Sequence, residues 1–192
     1  MDSSSNTVVV TGFGPFRQYL VNSSWEAVKV LSKRGLGKNI NLHIMQLPVV
    51  YQKAKDKVFM IWTTLQPQLT VHVGLASSAK AIIILEQCGK NKGYQEMDAC
   101  GFHPEGGCCM LDGPEKIEST INMKTLWKNI SVEGIDIIFS RDAGSACPKG
   151  KRCSSSAEHS TKTPVFQQDR ARLFRDLHIK TPMPACPENS NH

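Results

Sequence analysis

The sequence has no apolar run long enough to cross a bilayer, and no positive charge precedes its first short apolar stretch. It therefore reads as neither a membrane-spanning nor a secreted chain. It also has no Cys-x-x-Cys pair. Seven cysteines, at 88, 100, 108, 109, 147, 153 and 186, are an odd number in a chain of 192 residues, too long for a disulfide scaffold. Reduced thiols in the cytosol are expected. Aromatic residues are scarce, at 7%, and the net charge of +6 is modest. A surface for nucleic acid needs clustered Lys and Arg interleaved with stacking rings, and the more basic end of the chain offers only Phe166 and Phe174. Neither nucleic acid nor a membrane is expected as a partner.

One region lacks apolar residues as well. Of the last 48 residues only seven are Val, Ile, Leu, Met, Phe, Trp or Tyr, while five of the ten prolines lie there. Such a segment cannot pack a core layer of its own. The reading divides the chain into an α/β domain over 7–144 and a divergent, largely disordered tail over 145–192, with at most one short helix at Gln167–Leu177.

What is present is an alternation. Thr7–Thr11 is a β-branched run that stops at Gly12, and Asn22-Ser23-Ser24 offers helix caps before the periodic segment Trp25–Leu31. Asn41–Leu47 reads as a strand and Val50–Leu65 as a helix. Leu69–Val73 and Lys80–Leu85, the latter with three consecutive isoleucines, read as strands. A helix over Ile117–Val132 and a strand over Ile135–Ser140 complete the pattern, and Asn91–Gly113 is expected to be an irregular excursion or a small hairpin pair. Strands and helices alternating at this pace predict a three-layer α/β/α fold around a mostly parallel sheet.

Two motifs invite specific chemistry and do not satisfy it. Gly12-Phe-Gly-Pro-Phe-Arg17 approaches the dinucleotide fingerprint Gly-x-Gly-x-x-Gly, but Arg17 stands where the third glycine belongs, and Phe13 and Phe16 would crowd the pyrophosphate. Cys88, Cys100, His103, Cys108 and Cys109 are zinc-type ligands at irregular spacing, so loop thiols are the expected reading and no metal is assigned. His72, between valines in a strand, reads as a hydrogen-bonded core histidine. Glu86 is sharper, because a carboxylate at the end of the most apolar strand is costly to bury unless it has a partner. Open α/β sheets place their ligand crevice at the carboxyl ends of the strands, where Phe13, Phe16, Glu86 and the Arg141 turn are expected to gather.

Thr11-Gly-Phe-Gly-Pro-Phe16, Val21-Asn-Ser-Ser-Trp-Glu-Ala-Val28, Leu47-Pro-Val49 and Pro67-Gln-Leu-Thr-Val-His-Val-Gly74 form an ordered series. Leu85-Glu-Gln-Cys-Gly-Lys-Asn-Lys-Gly-Tyr94, Asp112-Gly-Pro-Glu115 and Ser140-Arg-Asp-Ala-Gly144 continue it. Together these motifs resemble the pyroglutamyl-peptidase I family over about three quarters of the chain, from Thr7 to Gly144. The resemblance implies a cytosolic cysteine peptidase that removes N-terminal pyroglutamate (5-oxoproline) from peptides, with a Cys nucleophile, a His base and an orienting acid, and with no metal or cofactor. It makes Glu86 the acidic member, Phe13 and Phe16 the rings that sandwich the lactam, and Asn22 a polar group near the pocket. Apolar rings suit an uncharged five-membered lactam, and a carboxylate that holds an imidazole in one tautomer is triad logic.

The chain departs from the family pattern after Gly144. The family seats its cysteine at a helix start, where amides and dipole lower the thiol pKa. Here Ser145-Ala-Cys147-Pro148 brings the cysteine one residue early and follows it with Pro148 and Gly150. The family histidine belongs to a later strand, and neither His159 nor His178, the latter expected near the end of the short helix, is recognisable as its counterpart. The last strand and helices of the family fold are expected to be missing, leaving little or no activity, or a pseudoenzyme that binds pyroglutamyl ends without cutting them. A lost sheet edge would also leave apolar surface for a partner, a homo-oligomer being one such arrangement.

Overall fold

A computed structural model describes residues 6–16, 20–76, 82–111 and 113–141, together with the backbone of a strand at 176–182. The elements run β1 (Thr7–Phe13), α1 (Ser23–Arg34), β2 (Asn41–Leu47), α2 (Tyr51–Met60), β3 (Leu69–Ala76), β4 (Ile82–Glu86), β5 (Cys88–Lys90), β6 (Lys116–Glu118), α3 (Met123–Asn129), β7 (Asp136–Ser140) and β8 (Asp176–Pro182). A π-turn, Ile61–Leu65, continues α2.

Six strands form one sheet in the order β2-β1-β3-β8-β4-β7, and β5 and β6 form a separate pair. The first four lie parallel to one another, β4 and β7 are parallel to each other, and the β4–β8 pair alone is antiparallel. The sheet is therefore mostly parallel, as expected. From β1 the chain crosses to β2 and then back over β1 to β3. Two right-handed crossovers in opposite directions put α1 and α2 on opposite faces of the sheet.

Strand alternation explains what each face holds. Val8 and Val10 point to one side, where they pack with Val28 of α1 and Val73 of β3. Val9 and Thr11 point to the other side, and there they and Thr70 are fully buried. Ile61 and Trp62 carry the π-turn after α2 into the interior. β1 is covered on both faces, which is why its sequence is nearly continuous in β-branched residues.

Several expectations change here. The helix expected over Ile117–Val132 is shorter, because Lys116-Ile117-Glu118 pairs with Cys88–Lys90, and Asn122 caps a helix that begins at Met123. The expected helix Gln167–Leu177 meets a strand instead at Asp176–Leu177, while 167–175 lie outside the described residues. β8 enters the sheet between β3 and β4, so the 145–192 segment supplies an interior strand. A strand in that position needs no core layer of its own, since its two neighbours supply the hydrogen bonds.

The idea of one crevice at the carboxyl ends of all strands is also corrected. β4 and β7 run against β1 and β3, so the end of β4 at Glu86 and the end of β7 before Arg141 point away from the end of β1 at Phe13. Among the described residues no helix is long and apolar enough to cross a membrane.

Candidate active site

The turn after β1 is held by its own backbone. The Phe13 N–H donates to Ser24 Oγ at 2.9 Å, and the Gly14 N–H donates to the Leu47 carbonyl at 2.8 Å. These are among the amides a pyrophosphate would need, and both already have partners, which argues against a dinucleotide loop. Gly12 is required by packing. A Cβ there would stand 2.8 Å from the Ser24 carbonyl oxygen and from Trp25 Cα, so glycine lets the first turn of α1 lie directly on the strand.

Asn22 fixes the same turn from the helix side. Its Nδ2 donates to the Gly14 carbonyl at 2.9 Å, and its Oδ1 accepts from the Ser24 N–H at 3.1 Å and the Ser24 hydroxyl at 2.7 Å. It is the buried N-cap of α1, and its amide shapes the loop that carries both phenylalanines.

Phe13 lies against Gly74 of β3, where a Cβ would touch its ring at 3.7 Å. Phe13 and Phe16 form one wall of a cavity of about 230 Å³. Pro48, Val49, Tyr51 and Ala54, at and before the start of α2, form another, and Glu96, Met97 and Asp98 close it. Phe16 and the 96–98 segment also border a larger, more open cavity of about 750 Å³. The first cavity is walled mainly by carbon and is of a size for a small uncharged ring.

Glu86 is 1% exposed, which rules out a solvent-facing strand end. Its register is more informative than its burial. Thr11 is the Cα partner of His72, His72 of His178, and His178 of Glu86. Four strands thus bring Thr11, His72, His178 and Glu86 into one row across the sheet, two residues along β1 from Phe13. The Thr11 hydroxyl and His72 Nδ1 are 2.8 Å apart in the buried interior, so His72 is the hydrogen-bonded core histidine expected of it.

His178, which the sequence reading did not match to the family histidine, stands in this row by the register of its backbone. Leu177-His178-Ile179 repeats the apolar-His-apolar pattern of Val71-His72-Val73, and that repeat was the available signal. Cys147 lies outside the described residues. Of the cysteines within them, Cys88 is fully buried beside Glu118, and burial is the chief cause that pushes its thiol pKa up. Burial does the same to Cys109. Neither is prepared as a thiolate. No group of three or more metal-type ligands comes together among the described residues.

The family profile described as pyroglutamyl peptidase matches residues 6–151. Human pyroglutamyl-peptidase 1 is 44% identical over 146 residues, which cover 75% of this chain and 69% of that protein. The human pyroglutamyl-peptidase 1-like protein is 53% identical over 116 residues, 59% of each chain. In three dimensions the chain is similar to the crystal structure of pyrrolidone carboxyl peptidase from Fervidobacterium islandicum AW-1, with a TM-score of 0.71 and 25% identity. That match covers 92% of this chain and 80% of the other.

Proposed function

The chain belongs to the pyroglutamyl peptidase family, and from that premise we propose that it recognises peptides beginning with pyroglutamate in the cytosol and hydrolyses them weakly at best. The observation that carries the reading is the aromatic cavity behind Phe13 and Phe16, with the buried Glu86 three strands across the sheet in the row that meets β1 at Thr11. A lactam carries no charge, so a wall of rings and aliphatic carbon selects it over a free N-terminal ammonium, which would be desolvated there.

Hydrolysis on this plan needs a thiolate to attack the carbonyl that joins pyroglutamyl to the next residue, expelling the amine and leaving a thioester that water then cleaves to free pyroglutamate and thiol. An imidazole takes the thiol proton and returns it to the leaving amine, and a carboxylate holds that imidazole in one tautomer. His178, the register neighbour of Glu86, is the imidazole this reading assigns, and Glu86 is the orienting acid. The base is then not the weak member of the triad. The nucleophile is: Pro148 and Gly150 follow Cys147 where a helix start would lower the thiol pKa and supply oxyanion amides.

Purified full-length chain should turn over a pyroglutamyl chromogenic substrate far more slowly than a full-length relative. Turnover near the relative's, abolished by Cys147→Ala, would show that the nucleophile is properly seated. The second reading, a pseudoenzyme, is favoured by the same Cys147 segment. It predicts heat on titration with 5-oxoproline and no hydrolysis, and absence of both heat and thermal shift would remove it.

A further inference from the structure

We infer that Asp98 is a positioning residue for the lactam cavity, acting as a remote cap that holds one wall against another. This rests on the proposed recognition of pyroglutamyl ends. α2 begins without a capping side chain of its own, since Val50 stands at its N-cap position. The missing acceptor comes from 47 residues away: the Tyr51 N–H donates to Asp98 Oδ2 at 3.0 Å. The other oxygen, Oδ1, accepts from the Cys100 N–H at 2.8 Å and the Phe102 N–H at 3.1 Å.

The Asp98 N–H closes the same turn on the Phe102 carbonyl at 2.8 Å. On either side the Ala99 N–H donates to the Val49 carbonyl at 3.0 Å, and the Tyr51 hydroxyl donates to the Glu96 carbonyl at 3.0 Å. One carboxylate therefore joins the 48–51 wall of the cavity to the 96–98 wall, facing Phe13 and Phe16. It uses a different oxygen for each wall, so only a group with two acceptor oxygens does both.

That requirement gives the test a sharp variant. An asparagine offers one oxygen, so Asp98→Asn keeps either the turn or the cap and puts an amide N–H against a donor at the other. With full-length protein and 5-oxoproline in a calorimeter, Asp98→Ala and Asp98→Asn should both weaken binding by roughly 10- to 100-fold, the worth of about one hydrogen bond to a charged group. Melting should remain cooperative. If the parent chain binds and Asp98→Asn binds within about 3-fold of it, Asp98 merely shapes its own turn and the inference falls.

If the parent chain does not bind 5-oxoproline, the proposed recognition fails. Amide exchange then decides the clamp by itself. Exchange at Tyr51 and Phe102 that is faster in Asp98→Ala by about 10-fold or more supports it, and unchanged exchange at Tyr51 overturns it.

Discussion

The two halves of the sheet are built to different standards. In the β2–β1–β3 half, every residue from Thr7 to Thr11 is buried, α1 closes one face, and the turn after β1 is tied to both α1 and β2. In the β4–β7 half the edge strand carries Ile138 at 42% exposure, with Ile130, Val132 and Ile135 exposed on the approach to it. That edge is blunted by the Trp127 indole, which donates to the Ile137 carbonyl at 2.6 Å. The cavity proposed for recognition borders the better-buried half. The proposed nucleophile, Cys147, follows the last strand of the weaker half in sequence. A fold divided this way retains a ligand cavity more easily than it retains catalysis, because a nucleophile and oxyanion site tolerate little displacement.

The division is testable by making one substitution in each half. Ile61→Ala, at a side chain with 0% exposure, should cost about 3 to 4 kcal/mol in urea unfolding, as buried isoleucine truncations do. Ile138→Ala should cost under about 1 kcal/mol, because much of that side chain already meets water. Equal costs would mean that the two halves are equally well packed.

Gly12→Ala comes next, at about 2 to 3 kcal/mol. The added methyl meets main-chain atoms of Ser24 and Trp25, which cannot rotate away. A neutral outcome would show that α1 can lift off β1 at little cost, and the claim of a rigid half would weaken.

Two helix caps make a finer comparison. Asn22 caps α1 from a buried position with three hydrogen bonds, whereas Asn122 caps α3 from an exposed position by accepting from the Thr125 N–H at 2.9 Å. Asn22→Ala should cost about 1 to 2 kcal/mol and Asn122→Ala about 0.5 kcal/mol, with the larger loss accompanied by weaker 5-oxoproline binding, since Asn22 also fixes Gly14.

How far the sequence reveals this structure depends on whether each signal is local. β1, the Asn22 cap and α1 are legible because β-branched residues, a capping side chain and a helical period sit within one stretch of chain. The apolar run of β4 predicts a strand, but an apolar run has no direction. That β4 lies antiparallel to β8 follows from pairs such as Glu86 with His178, across 92 positions of chain. β8 is set in a proline-rich segment poor in apolar residues, and its two neighbours in the sheet supply the hydrogen bonds of its strand state. Ile117 was assigned to a helix because its spacing fits one, and the partner that makes it a strand, Gly89, is 28 residues earlier. The two phenylalanine rings of the cavity are visible in the sequence; the carboxylate that ties the opposite walls together is not, because Asp98 caps a helix 47 residues away.

The smallest effect expected concerns that carboxylate and pH. Burial raises the pKa of Asp98, and the three N–H donors from Phe102, Cys100 and Tyr51 together outweigh it, so the group titrates below its ordinary value of 3.8. A carboxyl with a depressed folded pKa adds stability that is fully present above the ordinary value and is lost as pH falls through the folded one. The stability difference between the parent chain and Asp98→Ala should therefore be constant from neutral pH down to the ordinary carboxylate range and shrink below it. Recognition of 5-oxoproline should weaken over the same interval, because a protonated Asp98 has one strong acceptor oxygen fewer for two walls. A difference that is flat through acid pH would mean the carboxylate charge contributes nothing to the clamp, and the cavity walls would then be held by packing around Tyr51 and Tyr94, whose rings meet edge to face at 5.8 Å.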